Sequence, residues 1–80
     1  PVIRTDLEDA VVDALKALGG AGSIPKVAEQ IWILREADLR SSGELFFTWQ
    51  YDIRWAAQRL QDAGKLEKVK RSGKSVWELR

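Results

Sequence analysis

The stretch TWQYDIRWAAQRLQDAG, running from Thr48 to Gly64, decides how the rest of the chain is read. At about 100° per residue, Trp49, Ile53, Ala56, Leu60 and Ala63 fall on one stripe, the spacing of a helix that packs against a core. The opposite side carries Gln50, Tyr51, Arg54, Gln58 and Gln61, with Lys65 just past the end. Trp55 lies between the two. A merely solvated helix face usually mixes Lys with Glu, whereas the centre of this one has no acidic residue. Its Gln and Arg side chains are those whose geometry matches adenine and guanine edges in a major groove. The stretch therefore reads as a recognition helix, the plain alternative being an exposed polar face.

Working outward toward the C-terminus, Gly64 closes the helix and KLEKVK begins a strand. Arg71-Ser72-Gly73-Lys74 turns it into a second strand, SVWELR, with glycine where a positive backbone dihedral is needed. Trp77 and Leu79 share one face and close the core with Leu66, so Val76, Glu78 and the lysines are expected to face out. Val69 is out of phase with Leu66, which calls for a bulge or an exposed position.

Toward the N-terminus, Thr5 followed by Glu8 has the spacing of a capping box. Leu7, Val11, Ala14, Leu15 and Leu18 then form the apolar stripe of a first helix, ended by Gly19-Gly20. Its outward residues are mostly acidic and should face away from any nucleic acid. Ile24-Pro25 opens a second helix, since proline is tolerated in a first turn. Val27, Ala28, Ile31, Trp32 and Leu34 predict that this helix is more buried than the first, with Trp32 a core residue. Ser23 or Ile24 can pair as a very short strand with the later hairpin. The second helix continues to about Leu39 and breaks at Ser41-Ser42-Gly43. Leu45, Phe46 and Phe47 then call for a long loop folded back onto the body.

The 80 residues make one domain, 1–80, large enough to bury a single core. Cysteine, histidine and methionine are absent, which excludes a disulfide framework, a thiol nucleophile and a Cys or His metal site. No apolar run approaches membrane-spanning length and the first ten residues do not resemble a signal peptide, so no membrane partner and a cytoplasmic location are expected. The formal net charge of +1 hides an asymmetry. Residues 1–22 hold two basic and four acidic side chains, residues 23–63 five and six, and residues 64–80 six and two, giving blocks of −2, −1 and +4. Positive charge is thus concentrated where a phosphate backbone can use it.

Catalysis is not expected. Asp6, Glu8, Asp9 and Asp13 decorate one exposed helix, and Asp52 and Asp62 are about three turns apart, so no pair is held in a cleft. Gly19-Gly20-Ala21-Gly22 follows a helix rather than a strand and lacks the Lys-Ser or Lys-Thr of a phosphate loop. No cofactor is implied.

The order helix, helix, loop, helix, basic hairpin is that of an α+β winged helix, in which the third helix enters the major groove and the hairpin, or wing, lies along the backbone or minor groove. Topology and charge then converge on one surface. Lys68, Lys70, Arg71, Ser72 and Lys74 are on the wing, and Trp49, Gln50, Tyr51, Arg54, Trp55, Gln58 and Lys65 are on or beside the helix. The expected partner is double-stranded DNA. The alternatives are a protein-interaction module, or a sequence-specific transcriptional regulator indifferent to base modification.

Ile53, Trp55-Ala56, Leu60, Ala63-Gly64, Leu66, Gly73 and Trp77 with Leu79 form a pattern that resembles the winged-helix domain at the N-terminus of Mrr-type restriction endonucleases. The pattern covers the last third of the chain, with looser matches at the Leu-Gly-Gly end of the first helix and at Ile24-Pro25-Lys26. The resemblance implies a module of a longer protein, with a modification-dependent nuclease domain in cis, and a reader of N6-methyladenine in duplex DNA. Trp49, Gln50 and Tyr51 at the start of the third helix, with Trp55 as a second aromatic, are then the candidates for the methylated base. An apolar or aromatic surface suits the methyl, and Gln suits the adenine edge.

Overall fold

The computed structural model describes residues 2–80, and its elements run α1 (Asp6–Ala17), β1 (Ala21–Ser23), α2 (Ile24–Arg40), α3 (Leu45–Asp62), β2 (Leu66–Arg71) and β3 (Lys74–Leu79). Three helices stand beside a three-stranded antiparallel sheet of order β1-β3-β2, an α+β arrangement that fits the winged helix. The short β1 is the strand anticipated around Ser23. It joins the hairpin through Ala21–Glu78, Gly22–Trp77 and Ser23–Val76.

α1 forms because Leu7, Ala10, Val11, Ala14 and Leu15 recur on one buried face. Its start differs from the expected capping box. Thr5 is itself in helical conformation and its hydroxyl caps nothing. Instead the amide of Ile3 donates to the Asp6 carboxylate at 3.0 Å, and Glu8 is drawn off to Arg59. The end is as expected. Gly20 N donates to Leu15 O at 2.7 Å and Gly19 N to Lys16 O at 3.1 Å, the two bonds of a Schellman motif, with Gly19 at φ +88°. Gly22 leaves room for Leu18: a Cβ there would lie 2.8 Å from Leu18 Cδ1, so a larger residue would make that side chain shift.

α2 begins with Ser23 as its cap, the hydroxyl accepting from Lys26 N at 3.4 Å, and Pro25 sits in the first turn where its missing N–H costs nothing. It is less buried than α1, contrary to expectation. Only Val27, Ile31 and Leu39 are fully enclosed, while Ile33 and Leu34 are exposed and Trp32 is half-buried at the edge of the core. The reason is geometric, since α2 packs along one stripe and leaves the rest of its circumference open.

The long loop before the third helix does not exist. Only Ser41 to Glu44 separate α2 from α3, a turn of the length that joins the helices of a helix-turn-helix. The amides of Leu45, Phe46 and Phe47 donate to Ser42, Gly43 and Glu44 carbonyls, so LFF is the first turn of α3 rather than a folded-back loop. Ser42 secures the turn, accepting from Val2 N at 2.8 Å and donating to the Asp38 carbonyl. Along α3 the buried stripe is Trp49, Ile53, Ala56, Ala57 and Leu60. Ala57 joins it, and Ala63 at the helix end is exposed.

The hairpin is regular from Leu66–Leu79 to Arg71–Lys74, with no bulge. Val69 pairs with Val76 on the sheet face away from Trp77, which is the second of the two positions foreseen for it. The lysines do not all face out with Val76. Lys68 lies opposite Trp77 and Lys70 opposite Ser75, on the inner face, while Arg71 and Lys74 share the outer one. Near the tip the hairpin projects past the helices, so residues on both faces meet solvent.

Ser72 and Gly73 have φ of +54° and +78°, and positive values at both central residues are the signature of a type I′ turn. Serine is strained there and asparagine is much less so. Ser72→Asn is therefore expected to stabilise the domain by about 0.5–1 kcal/mol, a rise of about 2–8 °C in thermal midpoint followed by circular dichroism. A fall in the midpoint would show that the turn has a different conformation in solution.

Candidate nucleic-acid interface

On α3 the residues opposite the buried stripe form a second line, Phe47, Tyr51, Arg54 and Gln58, spaced by four, three and four. All four are exposed, Phe47 to 82% and Tyr51 to 73%. Gln50 flanks the line on the α2 side. Acidic residues stay at its ends, with Glu44 before it and Asp62 after it. Two of the polar side chains are held in place by their own helix: an Arg54 guanidinium nitrogen donates to the Gln50 carbonyl at 2.6 Å and the Gln58 amide to Asp62 at 3.0 Å. Arg54 keeps further donors, because guanidinium has five N–H groups.

The other two candidates on this helix are placed differently. Trp49 is 5% exposed and belongs to the core, stacked against Trp32 with centroids 6.0 Å apart and planes at 8°. It is withdrawn from any groove-facing surface. Trp55 is half-buried on the flank nearest the N-terminal segment, with the Arg4 guanidinium 3.9 Å above its ring and that of Arg59 at 5.2 Å. Arg4 also approaches Asp52 at 3.8 Å and Arg59 binds Glu8 at 2.9 Å. Trp55 is thus a platform for arginines of its own chain. The acids of α1 serve in this and in the Arg35–Asp13 pair at 2.6 Å, holding the helices together.

Phe47 was not legible as a surface residue once the helix was started at Thr48. The signal was its position four residues before Tyr51, which continues the exposed line by one turn. Arg4 was likewise missed, because its role depends on a contact 51 residues along the chain.

Lys65 follows Gly64 at the exit of α3, fixed by its amide donating to Leu60 O at 2.9 Å, and its side chain is exposed. Lys70, Arg71, Ser72 and Lys74 are all exposed at the wing tip. They present cations on both faces of the ribbon, Lys70 and Lys68 on one and Arg71 and Lys74 on the other. Arg71 is the exception in availability, since its guanidinium is paired with Glu78 on the outer face. That pair is exposed and weak, and a phosphate can replace Glu78 as acceptor.

No helix among the described residues is long and apolar enough to cross a membrane. Scans against protein families, curated proteins and solved structures find no match to the chain.

Proposed function

We propose that this domain binds double-stranded DNA, with the outward line of α3 in the major groove and the wing on the phosphate backbone. In this reading it recognises N6-methyladenine, as the modified-base reader of a modification-dependent restriction system whose nuclease domain is joined in cis. The observation that carries the proposal is the exposure of Phe47 and Tyr51 on one line with Arg54 and beside Gln50. Two large aromatics held in water beside an amide and a guanidinium are costly for a merely solvated face. They suit a methyl group and a purine edge, the aromatic ring covering the methyl while Gln or Arg bonds to the base. The Mrr-type resemblance of Ile53, Trp55-Ala56, Leu60 and Trp77 points the same way.

A methyl buried against a ring contributes on the order of 1 kcal/mol, so one methylated adenine should raise affinity about fivefold. Fluorescence anisotropy with matched duplexes differing only in that methyl measures it. Tyr51→Ala and Phe47→Ala are expected to reduce the preference toward unity while leaving binding to the unmethylated duplex largely intact. Both positions are exposed, so folding is not at stake. Equal affinity of the intact domain for both duplexes across sequence contexts would refute the methyl reading and leave an ordinary winged-helix DNA binder.

One observation favours the alternative of a protein-interaction module: Ile33, 64% exposed, and Leu34 stand in solvent on α2. The two readings part on salt dependence, which is strong for a phosphate contact and weak for an apolar one.

A further inference from the structure

Between α2 and the first half of α3 lies a cleft of about 470 Å³ whose walls include Trp32, Phe46, Trp49, Glu29 and Gln50. A second cleft of about 500 Å³ opens beside it, sharing Pro25 and Glu29 as a common wall and reaching Lys26 on α2 and Lys74 and Ser75 at the start of β3. The two clefts adjoin along that wall, with Glu29 facing both, and their outer ends are unlike. One end is aromatic with a carboxylate and an amide. The other has two lysines, of which Lys26 meets Glu29 only loosely, at 3.9 Å with both side chains largely exposed.

We infer that this groove binds a single unpaired nucleotide, its base against the aromatic end and its phosphate at Lys26 and Lys74. The inference rests on the reading of the domain as a nucleic-acid binder and deepens it. A base offers a π-face to Phe46 and to Trp32, where it takes the place of the exposed Arg40 guanidinium that lies 5.1 Å from the ring centroid, and an exocyclic amine whose N–H can donate to Glu29, and its phosphate matches the lysines. An aliphatic ligand leaves both lysines unused, and a simple anion is repelled by Glu29 at the aromatic end. The base does not enter between the two tryptophans. Their centroids are 6.0 Å apart in near-parallel planes, and a ring sandwiched there needs about 7 Å, twice the usual carbon contact. It lies instead along the outer side of the cluster, where Trp32 and Phe46 are only half-buried. Gln50 lines the cleft and also flanks the exposed line of α3, so the groove is continuous with the surface proposed to meet the duplex.

The test uses fluorescence anisotropy with three labelled DNAs of one sequence: a fully paired duplex, the same duplex with one unpaired adenine, and the single strand. Unlabelled deoxyadenosine monophosphate is the competitor. The unpaired adenine is expected to raise affinity about tenfold over the paired duplex, within the range of base–aromatic stacking. Trp32→Ala should remove that gain. Trp32 packs partly on the core, so the exposed double variant Glu29→Gln, Lys26→Ala, which leaves the fold untouched, should also reduce the gain, to about threefold or less. Equal affinity for paired and unpaired duplexes overturns the inference, as does a preference that survives in both variants. Binding of the single strand without binding of any duplex supports the groove and refutes the duplex reading. Competition by the mononucleotide at the affinity of the single strand identifies a free nucleotide as the occupant, whereas weak competition assigns the site to a nucleotide within a strand. No binding of any probe overturns both readings.

Discussion

Replacing Trp77 by alanine is expected to lower the thermal midpoint by roughly 12–40 °C, because a buried Trp→Ala change costs about 3–5 kcal/mol and each kcal/mol moves a domain of this size by about 4–8 °C. Trp77 is 2% exposed and is the largest fully enclosed side chain among the described residues. It sits on the central strand, opposite Gly22 of β1 and Lys68 of β2, and belongs to the same core cluster as the buried faces of all three helices. A domain of 80 residues has about 4–12 kcal/mol of stability in all, so the variant should be substantially unfolded under mild denaturant. Trp55→Ala is the control. Its ring is half-buried and covered by arginines, so its loss should cost no more than about 2 kcal/mol. Chemical denaturation monitored by circular dichroism measures both. Similar midpoints for the two variants would mean that the sheet is not joined to the helices through Trp77.

The second large effect is that of salt on duplex binding. Arg54, Lys65, Lys68, Lys70 and Lys74 are the exposed cations of α3, its exit and the wing that no acidic side chain holds in an ion pair. If each neutralises one phosphate, the logarithm of affinity falls with the logarithm of salt at a slope of about −4.5. Going from 50 to 200 mM salt then weakens binding roughly 500-fold. Arg71 is left out of this count because a phosphate has to displace Glu78 from it, and the pair is neutral as a whole. Lys70→Ala with Lys74→Ala should reduce the slope by about 2 and weaken all duplexes alike, since phosphate contacts carry no sequence information. An anisotropy titration at four salt concentrations is sufficient. Flat affinity across that range would remove the wing and favour the protein-interaction reading.

The fold was legible where burial imposes a period. Leu7 to Leu15, Ile53 to Leu60, and Leu66 with Trp77 repeat as their elements require, and each is buried as expected. The errors came from treating apolar character as a demand for burial. Leu45-Phe46-Phe47 suggested a loop folded inward, yet the three open α3, and the helix period puts Phe47 opposite the buried stripe, in solvent. Ile33 and Leu34 misled in the same way about α2. The wing lysines were expected outside because they are charged, whereas alternation from Leu66 puts Lys68 and Lys70 on its own face, where they remain exposed. Of the candidate interface, Gln50, Tyr51, Arg54 and Gln58 could be read from the helix period. Trp49 stood on the core stripe and is buried there, so naming it as a base contact set the resemblance above the period, while Trp55 lies between the stripe and the polar face and could not be apportioned. Only the packing of Arg4 on its ring decides it.

The sheet order β1-β3-β2 leaves β2 as a long free edge, and along it stand Glu67, Lys68, Lys70 and Arg71, all exposed. A strand from a second molecule that docked there would have to strip water from four ionised side chains to gain a few amide bonds. Charged edges of this kind keep sheets from growing side by side. The opposite edge, β1, is three residues long and offers little to a template. Copies of the domain crowded together therefore lack a backbone route to each other along these edges, and any contact between them there has to pass through side chains.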